Sequence, residues 1–481
     1  MKSAEKRDFA IMNPHRKGLQ ILSKVAGIIL AAGKGTRMNS PLPKVLHRVC
    51  GVPMVSLVGQ AMRDAGVICP VVVYGHGGDQ VLWSLGKDYN FVLQAEQKGT
   101  GHATLVALTA LAGFEGPVLI APGDTPLLTS KAFREMLTVS AGFDCVVGTM
   151  RIDNPNGYGR VVRDSMGVPI KIVEELDATD EERSISEVNT SIYCFDSSML
   201  NKLLPTLKPN NAKGEIYLTD LVAEIIAFGG KTVAYEFEDP SEVLGVNDQL
   251  QLAEAGVLLR ARILRSHAVA GVTFVDPSST FIGPHVRIGE GTIIEPMTML
   301  EGECSIGKRC NIGPMTKISN SEIGDEVQIL MSHVNRAKVG NECRVGPYAN
   351  LRPKTVLFEK SRIGNFVEVK NSEIGCGTSV SHLTYIGDAE IGENSNIGAG
   401  TITCNYDGFE KHRTEIGSNT FIGSNSTLVA PLKIGDGTMT AAGSVITTDV
   451  PDDSLAVGRA RQENKDGWAK RWRQGKKQKT E

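Results

Sequence analysis

The spacing of apolar residues changes once along this 481-residue chain, near residue 270. Before that point, longer amphipathic stretches separate short apolar runs, which read VAGIILAAG, PVVVYG, PVLIAPGD, DCVVGTM and TSIYCFD. Buried runs that alternate with amphipathic stretches are typical of βαβ units. The first half of the chain therefore predicts a Rossmann-like α/β domain with a mainly parallel sheet.

Beyond residue 270 the aliphatic residues recur every six positions, and glycine often follows them. Seven of them share one phase, namely Ile282, Ile288, Ile294, Leu300, Ile306, Ile312 and Ile318. A helix repeats about every 3.6 residues and a strand every two, so neither explains this spacing. A parallel β-helix does, because three hexads form one triangular coil with the aliphatic side chains pointing inward.

These patterns divide the chain into five predicted segments. They are an N-terminal extension (1–24), the α/β domain (25–247), a linker helix (248–268), the β-helix (269–459) and a basic C-terminal tail (460–481). The linker prediction rests on the helical spacing of apolar residues in DQLQLAEAGVLLRARILRSH. The tail is interpreted as a solvated terminus, with a clamp on an anionic ligand as the alternative.

Composition narrows the class of protein. Apolar residues make up 41% and charged residues 22%, which excludes a mostly disordered chain and a polytopic membrane protein. The net charge of −3 gives no basic footprint, so we expect no nucleic-acid partner. The apolar run GIILAAG is far shorter than the about 20 residues that span a bilayer, so we expect no membrane insertion. The nine cysteines show no metal-ligand spacing and the first 24 residues hold no apolar signal segment, so we expect reduced thiols and a cytoplasmic protein.

A glycine-rich turn follows the first predicted strand, in LAAGKGTRM, and PLPK comes shortly after it. Backbone N–H groups in such turns can approach a phosphate closely. The GxxxxGK[ST] motif is absent and GxGxxG is incomplete. The full string instead resembles the signature of sugar-1-phosphate nucleotidylyltransferases. This resemblance implies that Arg37 and Lys44 are catalytic and that a UTP site includes Leu30, Ala31, Ala32, Gly33 and Lys44.

Further segments extend this resemblance to a base, a sugar and a metal. QAEQKGTGHA resembles the uracil-binding loop of the family, while NPNGYGRVV, KIVEE and EVNTSIY resemble its sugar-contacting segments. The residues implied are Gln94, Gly99 and Thr100 for the base, Gly159, Glu174 and Asn189 for the sugar, and Asp124 with Asn247 for Mg²⁺. Asn247 also belongs to the implied nucleotide site. The sequence departs from the family pattern at Lys98, where an aliphatic residue is usual, and at Ser191, where glycine is usual.

Interruptions of the hexad repeat carry a second resemblance. LRPKTVLFEKSRIGNFVEVKN, SHLTYIGDAEIGENSNIGAGT and ITCNYDGFEKHRTEIG closely resemble the acetyltransferase half of the bacterial bifunctional N-acetylglucosamine-1-phosphate uridyltransferase / glucosamine-1-phosphate acetyltransferases. Both halves of that family match in order, over roughly residues 25–470. The resemblance implies a left-handed β-helix, a homotrimer with active sites between neighbouring β-helices, and acetyl-CoA and UTP as co-substrates.

The same resemblance assigns roles in the β-helix. His382 is the expected general base, because an imidazole with the ordinary pKa of about 6.5 is mostly neutral at pH 7, and Glu368 is expected to orient it. Residues implied to bind glucosamine-1-phosphate are Arg352, Lys370, Tyr385 and Asn396, and those for acetyl-CoA are Ala399, Asn405, Tyr406, Ser424, Ala442 and Arg459. Lys411 is expected to reach a neighbouring subunit, and Lys354 and Ser381 depart from the family pattern.

The sequence thus predicts an enzyme with two sites that makes UDP-N-acetylglucosamine, a precursor of peptidoglycan and lipopolysaccharide in the family it resembles. Acetylation of glucosamine-1-phosphate would precede uridylyl transfer. Two alternatives stay open. One is a single-activity nucleotidylyltransferase for another sugar, with the β-helix as an oligomerisation module. The other is a non-enzymatic assembly subunit, because hexapeptide β-helices also occur in structural proteins.

Overall fold

A computed structural model describes residues 24–75, 78–209, 211 and 213–477 of the chain. The chain divides into two compact units, Met1–Leu259 and Arg260–Glu481. The predicted N-terminal extension lies outside the described residues except for Lys24, and so do the last four residues of the tail. The five segment boundaries predicted from the sequence stay predictions. Within the described ranges, no helix is both long enough and apolar enough to cross a membrane.

The first unit is built on one large sheet and a two-stranded ribbon. Its strands are β1 (Ala26–Ala31), β2 (Arg48–Val49), β3 (Val52–Pro53), β4 (Val71–Tyr74), β5 (Asn90–Leu93), β6 (Pro117–Pro122), β7 (Cys145–Arg151), β8 (Arg160–Arg163), β9 (Pro169–Val173), β10 (Glu187–Asp196) and β11 (Thr232–Glu236). The strand order is β11-β7-β10-β6-β1-β4-β5, and β8 joins β9 to β10. The ribbon is formed by β2 and β3.

The large sheet is mainly parallel, as predicted. Strand β1 pairs in parallel with β4 and β6, and β4 with β5, whereas β10 runs antiparallel to β6 and β7. Leu30 near the end of β1 is in register with Pro122 at the end of β6. The loops that follow these two strands therefore leave the same edge of the sheet, where α/β proteins usually bind ligands.

Helices of the first unit cover both faces of this sheet. The α-helices of the described chain are α1 (Met54–Asp64), α2 (Asp79–Leu85), α3 (Thr100–Ala107), α4 (Ser130–Val139), α5 (Asp180–Arg183), α6 (Ser197–Leu203), α7 (Asp220–Ala227), α8 (Gln249–Val269) and α9 (Trp468–Lys477). Val58 and Phe133 lie in the core on one face, and Ala103 and Leu221 in the core on the other. Burial on both faces explains why the strands have continuous apolar runs.

The second unit is a parallel β-helix with three faces, and each face is one parallel ladder. The first face consists of Thr273–Phe274, Ile293–Ile294, Asn311–Ile312, Gln328–Ile329, Arg344–Val345, Arg362–Asn365, Ser379–His382, Asn396–Ile397, Phe421–Ile422, Met439–Thr440 and Leu455–Ala456. The second consists of Phe281–Ile282, Met299–Glu301, Lys317–Ser319, His333–Asn335, Asn350–Leu351, Glu368–Lys370, Tyr385–Gly387, Ile402–Cys404, Thr427–Val429 and Val445–Ile446. The third consists of Arg287–Ile288, Ser305–Ile306, Glu322–Ile323, Lys338–Val339, Val356–Leu357, Glu373–Ile374, Ala389–Ile391, Thr414–Ile416 and Leu432–Ile434.

The hexad residues form the core of this β-helix, as the repeat predicts. Ile294 is in register with Ile312, and Ile312 with Ile329, so each coil places its aliphatic side chain beneath that of the preceding coil. All three side chains are buried. The observed architecture is therefore the left-handed β-helix of hexapeptide repeats that the sequence predicted.

Two departures from the family pattern occupy left-handed backbone positions. Ser191 has φ 60° and lies in an irregular segment of β10, where pairing with β7 shifts between Asn189 and Tyr193. Lys354 has φ 66° at a corner of the β-helix. Glycine tolerates this conformation without the steric cost that a Cβ atom brings. The structure thus explains why glycine is usual at both positions.

We predict that Ser191→Gly stabilises the first unit by about 0.5–1 kcal/mol. Removing the Cβ relieves roughly 1–2 kcal/mol of left-handed strain, and the greater freedom of glycine in the unfolded chain offsets part of that gain. Urea denaturation of the full chain, monitored by circular dichroism, measures the change. Ser165→Gly is the matched control, because Ser165 is exposed and has no left-handed φ. Equal destabilisation by both substitutions would contradict the prediction.

Candidate active sites

A lysine ammonium joins two oxygen ligands at the edge of the sheet in the first unit. Lys44 Nζ forms a short ion pair with Asp124 and donates to Asn247 Oδ1 at 2.8 Å. Arg37 Nη2 donates to the same amide oxygen at 2.9 Å. The structure therefore brings together the two predicted catalytic cations and the two predicted metal ligands, which lie up to 210 residues apart in sequence.

Backbone contacts hold these side chains in place. Gly123 N donates to Leu30 O at 2.9 Å, which joins the loop before Asp124 to strand β1. Asp124 O in turn accepts from Val246 N at 2.9 Å, directly before Asn247. Gly35 has φ 60°, and a Cβ there would lie 2.5 Å from Lys44 Cβ. The second glycine of GKG is thus required for Lys44 to approach the loop.

The predicted nucleotide loop leaves room for a ligand. Gly33 is exposed, and a Cβ built on it would meet nothing within 4 Å. Ala31 and Ala32 are buried and Leu30 is half-buried, while Ala32 O accepts from Gln97 Nε2 at 3.1 Å. This bond ties the glycine-rich loop to the QAEQKGTGHA segment. The two predicted nucleotide-binding segments therefore lie side by side.

The predicted uracil-binding loop is fixed around Gln94. Its amide Nε2 donates to Gly99 O at 3.2 Å and lies 3.1 Å from His102 Nδ1, and the side chain is almost fully buried. Gly99 has φ 100° and precedes Thr100, the first residue of α3. Lys98 is exposed and forms an ion pair with Glu96. The structure thus places the departure at Lys98 on the solvent side of this loop.

The three predicted sugar-binding residues lie together. Asn189 N donates to Gly159 O at 2.8 Å, and a Cβ on Gly159 would lie 3.5 Å from Glu174 Oε1. Asn189 Nδ2 donates to Tyr193 OH at 2.8 Å. Burial raises the pKa of Glu174 above its usual value, although the Lys213 charge acts against this shift. A half-buried carboxylate of this kind can accept hydrogen bonds from sugar hydroxyl groups.

In the second unit, His382 begins a column of residues at the corner between the first and second faces. His382 O accepts from Gly400 N at 3.3 Å, Ala399 O accepts from Asn425 N at 2.7 Å, and Ser424 O accepts from Gly443 N at 2.8 Å. The parallel stacking therefore brings four predicted residues into one column, His382, Ala399, Ser424 and Ala442. Arg459 lies beside this column, next to Gly443. Ala399, Ser424 and Ala442 have small side chains, so this column forms a shallow track below the histidine.

Three cations gather around the second face. Arg352 Nη1 donates to Glu368 Oε1 at 2.7 Å, and Glu368 is in register with Tyr385. The neighbouring Lys411 lowers the pKa of Lys370. Two lysines and an arginine are suited to bind a phosphate dianion.

The carboxylate of Glu368 contacts a different residue from the one expected. It binds Arg352, whereas the imidazole of His382 is exposed and makes no hydrogen bond with the residues that the structure describes. That Glu368 orients His382 stays a prediction. Asn396 is exposed on the first face, one rung below Ser379.

The inserted loop after the second face is held by its own residues. Asp407 Oδ1 accepts from the backbone N–H groups of Phe409 and Glu410, and Asp407 Oδ2 lies 2.8 Å from His412 Nε2. These hydrogen bonds hold the pKa of Asp407 well below its usual value. The backbone of Tyr406 forms an antiparallel β-bridge with the backbone of Lys411 across this loop. The predicted residues Asn405 and Tyr406 thus start a compact hairpin.

Sequence reasoning missed two residues in this region, Gly387 and Asp388. A Cβ on Gly387 would lie 2.4 Å from the Tyr385 hydroxyl oxygen, so only glycine lets that ring lie across the face. Asp388 accepts hydrogen bonds from the side-chain amides of Asn371 and Asn405. The only signal in the sequence was the Gly-Asp pair within TYIGDAEIG, which resembles an ordinary corner of the repeat.

Two family models match this chain, one in each unit. The model described as MobA-like NTP transferase domain matches residues 27–188. The model described as bacterial transferase hexapeptide (six repeats) matches residues 285–320 and 413–448. These matches favour an enzyme with two transferase domains over a single-activity enzyme or an assembly subunit.

Curated relatives cover nearly the whole chain. The "Bifunctional protein GlmU" of Heliobacterium modesticaldum is 46% identical over 456 residues, which are 94% of this chain and 100% of that protein. The proteins of the same name from Geotalea uraniireducens and Listeria monocytogenes are 47% and 45% identical, over 93% and 95% of this chain and 99% and 100% of their own length. The chain therefore belongs to the GlmU family of bifunctional proteins and is an enzyme that combines a uridyltransferase with an acetyltransferase.

Proposed function

We propose that the second unit acetylates glucosamine-1-phosphate with acetyl-CoA, and that the first unit then joins N-acetylglucosamine-1-phosphate to UTP. The products would be UDP-N-acetylglucosamine and pyrophosphate. The observation that carries this proposal is the convergence of predicted residues in each unit. Lys44, Asp124 and Asn247 meet in one, and His382 begins the column over Ala399 in the other.

The residues of the first unit fit a magnesium ion. Asp124 Oδ2 and Asn247 Oδ1 both contact the same lysine ammonium, so two hard oxygen donors converge on one positive charge. Mg²⁺ prefers such ligands and takes its remaining ones from water and substrate phosphates. Asp124 and Asn247 would hold the ion. When bound, it would stabilise the negative charge on the phosphates of UTP.

The remaining chemistry of the first unit rests on positioning and charge. A phosphate oxygen of the sugar phosphate attacks the α-phosphorus of UTP, and the bond to the departing pyrophosphate breaks. Arg37 and Lys44 reduce the cost of the negative charge in this step, because they present two cations at the same edge of the sheet. Gln94 reads the uracil edge, and Gly159, Glu174 and Asn189 orient the sugar.

In the second unit, His382 acts as the general base. Its neutral imidazole accepts a proton from the amine of glucosamine-1-phosphate as the nitrogen attacks the thioester carbonyl of acetyl-CoA. The C–N bond forms, the C–S bond breaks, and CoA leaves. Arg352 and Lys370 bind the sugar phosphate, while Tyr385 and Asn396 hold the sugar. Asn405 and Tyr406 flank the reacting carbonyl, where a backbone N–H can stabilise the oxyanion.

Small side chains define the proposed path of acetyl-CoA. Ala399, Ser424 and Ala442 follow one another down the column that begins at His382. A narrow arm such as pantetheine would lie along this column, beside the reacting nitrogen. Arg459 lies next to Gly443 at the far end of the column, where a cation suits the CoA phosphates.

We further propose that the protein works in the cytoplasm, as the sequence led us to expect. No disulfide joins any of its nine cysteines, all of which lie in the described ranges, and most of the β-helix cysteines are buried among aliphatic side chains. Burial raises the pKa of Cys304, Cys310 and Cys343, which lowers their reactivity. Cysteines in such number without disulfides are typical of reducing compartments.

Reciprocal substitutions test the assignment of one reaction to each unit. Asp124→Ala should abolish uridylyl transfer and leave acetyl transfer unchanged, because it removes the only carboxylate bound to Lys44 among the described residues. His382→Ala should lower acetyl transfer by roughly 10²–10⁴ and leave uridylyl transfer unchanged. Both rates are measured for each purified variant, as pyrophosphate release and CoA release.

Asp153→Ala and His285→Ala are matched controls, since both residues are exposed and lie outside the proposed sites. Each should keep both activities within about twofold of the parent protein. Loss of both reactions in a folded Asp124→Ala or His382→Ala variant would contradict the assignment.

A stripe of large apolar side chains runs along the corner between the first and second faces. We call it the apolar corner stripe, and it consists of Met297, Met315, Met331, Tyr348, Phe366 and Leu383. All but Met331 are more than half exposed in the single chain, and the rings of Tyr348 and Phe366 stack with centroids 5.3 Å apart. Exposed apolar surface of this extent usually marks an interface.

Backbone strain makes this stripe unusual. Each of its residues has φ between 44° and 60°, a conformation that bulky side chains rarely adopt. The equivalent positions at the other two corners carry polar residues or glycine, such as Asn320, Asn371, Glu326 and Gly377. A straight apolar line confined to one corner therefore requires an apolar partner to offset its cost.

We infer that this partner is a second copy of the chain, in the homotrimer that the sequence resemblance implies. The stripe ends at Leu383, directly after His382, and glycine or asparagine follows at the same corner in the next coils. A neighbouring β-helix packed on the stripe would therefore lie beside the acetyl-CoA column. The acetyltransferase site would then form between two copies.

Phe366→Asp should disrupt this assembly. A carboxylate cannot be buried in an apolar interface without a large desolvation cost, and each apolar side chain lost from burial forfeits about 1.5–3 kcal/mol. We expect light scattering after size exclusion to give the mass of a monomer, with acetyl transfer reduced at least about tenfold and uridylyl transfer retained. Lys360→Ala, at a polar corner, should remain trimeric. A trimeric Phe366→Asp variant with full acetyl transfer would contradict the interface.

A further inference from the structure

Asp388 lies at the corner between the second and third faces, at the end of the rung that starts with Tyr385. Its Oδ1 accepts from Asn371 Nδ2 at 2.5 Å, and its Oδ2 accepts a short hydrogen bond from Asn405 Nδ2. Asn371 belongs to the preceding coil and Asn405 to the following one. One carboxylate therefore connects the side chains of three successive coils.

This carboxylate also faces the cations of the proposed phosphate site. Burial would raise the pKa of Asp388, but hydrogen bonds from Asn371 and Asn405 and the charges of Lys370 and Lys411 hold it below its usual value. The proximity of Lys411 lowers the pKa of Lys370, and the Asp388 charge acts in the opposite direction. Asp388 and Glu368 are thus the counter-charges to Arg352, Lys370 and Lys411.

The backbone of Asp388 is fixed independently of its side chain. Its N–H donates to Lys370 O at 3.1 Å, and its carbonyl oxygen accepts from Thr414 N at 3.1 Å. Its φ of 49° matches the left-handed corner conformation of Asn371. Asparagine at this position would preserve the corner, so the carboxylate itself is not needed to form the coil.

We propose that Asp388 is a positioning residue of the acetyltransferase, which holds the Asn405 amide beside the acyl group and Lys370 beside the sugar phosphate. The proposal rests on the proposed function, because it requires Asn405 and Lys370 to belong to that site. Asp388 acts through both of them and does not contact the reacting atoms.

The two roles of Asp388 predict different kinetic effects for two substitutions. Asp388→Asn removes the negative charge and turns one of the two amide contacts into a clash of donors. We expect acetyl-transfer kcat to fall about 10–100-fold and KM for glucosamine-1-phosphate to rise severalfold. Asp388→Glu keeps the charge but moves the carboxylate, so we expect a lower kcat with KM within about twofold. Uridylyl transfer should be unchanged in both.

A double variant separates positioning from a structural role. If Asp388 acts on kcat through Asn405, the combination of Asp388→Asn with Asn405→Ala should lower kcat no further than Asn405→Ala alone. Asp325→Asn is the matched control, because Asp325 Oδ1 also bridges coils, by accepting from Lys308 N at 2.7 Å, outside the proposed site. It should leave both activities unchanged, whatever its effect on thermal unfolding.

Three outcomes would overturn the inference. The first is full acetyl transfer by Asp388→Asn. The second is a kcat in the double variant that falls by the product of the two single losses. The third is a loss of kcat in Asp325→Asn equal to that in Asp388→Asn. Asn405→Ala and Lys370→Ala distinguish this failure from failure of the proposed function. If both of those variants keep full acetyl transfer, the site itself is misassigned, whereas if both lose activity and Asp388→Asn does not, only the positioning role is wrong. If Asp388→Asn does not fold, the kcat and KM of Asp388→Glu test the same inference.

Discussion

Backbone hydrogen bonding between successive coils is the constraint on which the second unit depends. Each coil must lie in parallel register with the next, so residues 16 to 25 apart in sequence become direct neighbours. The same register that buries Ile294, Ile312 and Ile329 also places His382 above Ala399 and Asp388 between two asparagines. The proposed site of this unit is therefore organised as columns of residues along the corners. The side chains of one column can change from large and apolar to small only from one coil to the next.

The first unit depends on a different constraint, the electrostatic repulsion among the phosphate groups of its substrates. At one edge of its sheet, Lys44 and Arg37 contact the oxygens of Asp124 and Asn247. The parallel pairing of β1 with β6 brings the two loops together, and Gly35 allows the close approach of Lys44. The protein does little covalent chemistry in such a transfer, so the correct placement of charged groups accounts for most of the catalysis.

The spacing of apolar residues predicted both folds, because in each fold the buried positions recur at regular intervals along the chain. The hexad identified the inward residues of the β-helix, and the alternating apolar runs identified the sheet. Antiparallel β10 was not predicted, since a strand buried on both faces has the same apolar run in either direction.

The resemblance supplied the site residues but not their partners: Glu368 binds Arg352, and Asp388 binds Asn371 and Asn405. The apolar corner stripe was not predicted, because Met297 and Phe366 each lie midway between two inward-facing aliphatic residues and look like isolated apolar residues in the sequence.

We propose that one chain links acetyl transfer in its β-helix to uridylyl transfer in its α/β unit. The most direct measurement gives the purified protein Mg²⁺, UTP, acetyl-CoA and glucosamine-1-phosphate, and follows free CoA and pyrophosphate together. We predict that CoA appears first and that pyrophosphate follows after a lag, only when acetyl-CoA is present. Pyrophosphate release that requires ready-made N-acetylglucosamine-1-phosphate, with no release of CoA, would show that the β-helix is a scaffold without acetyltransferase activity.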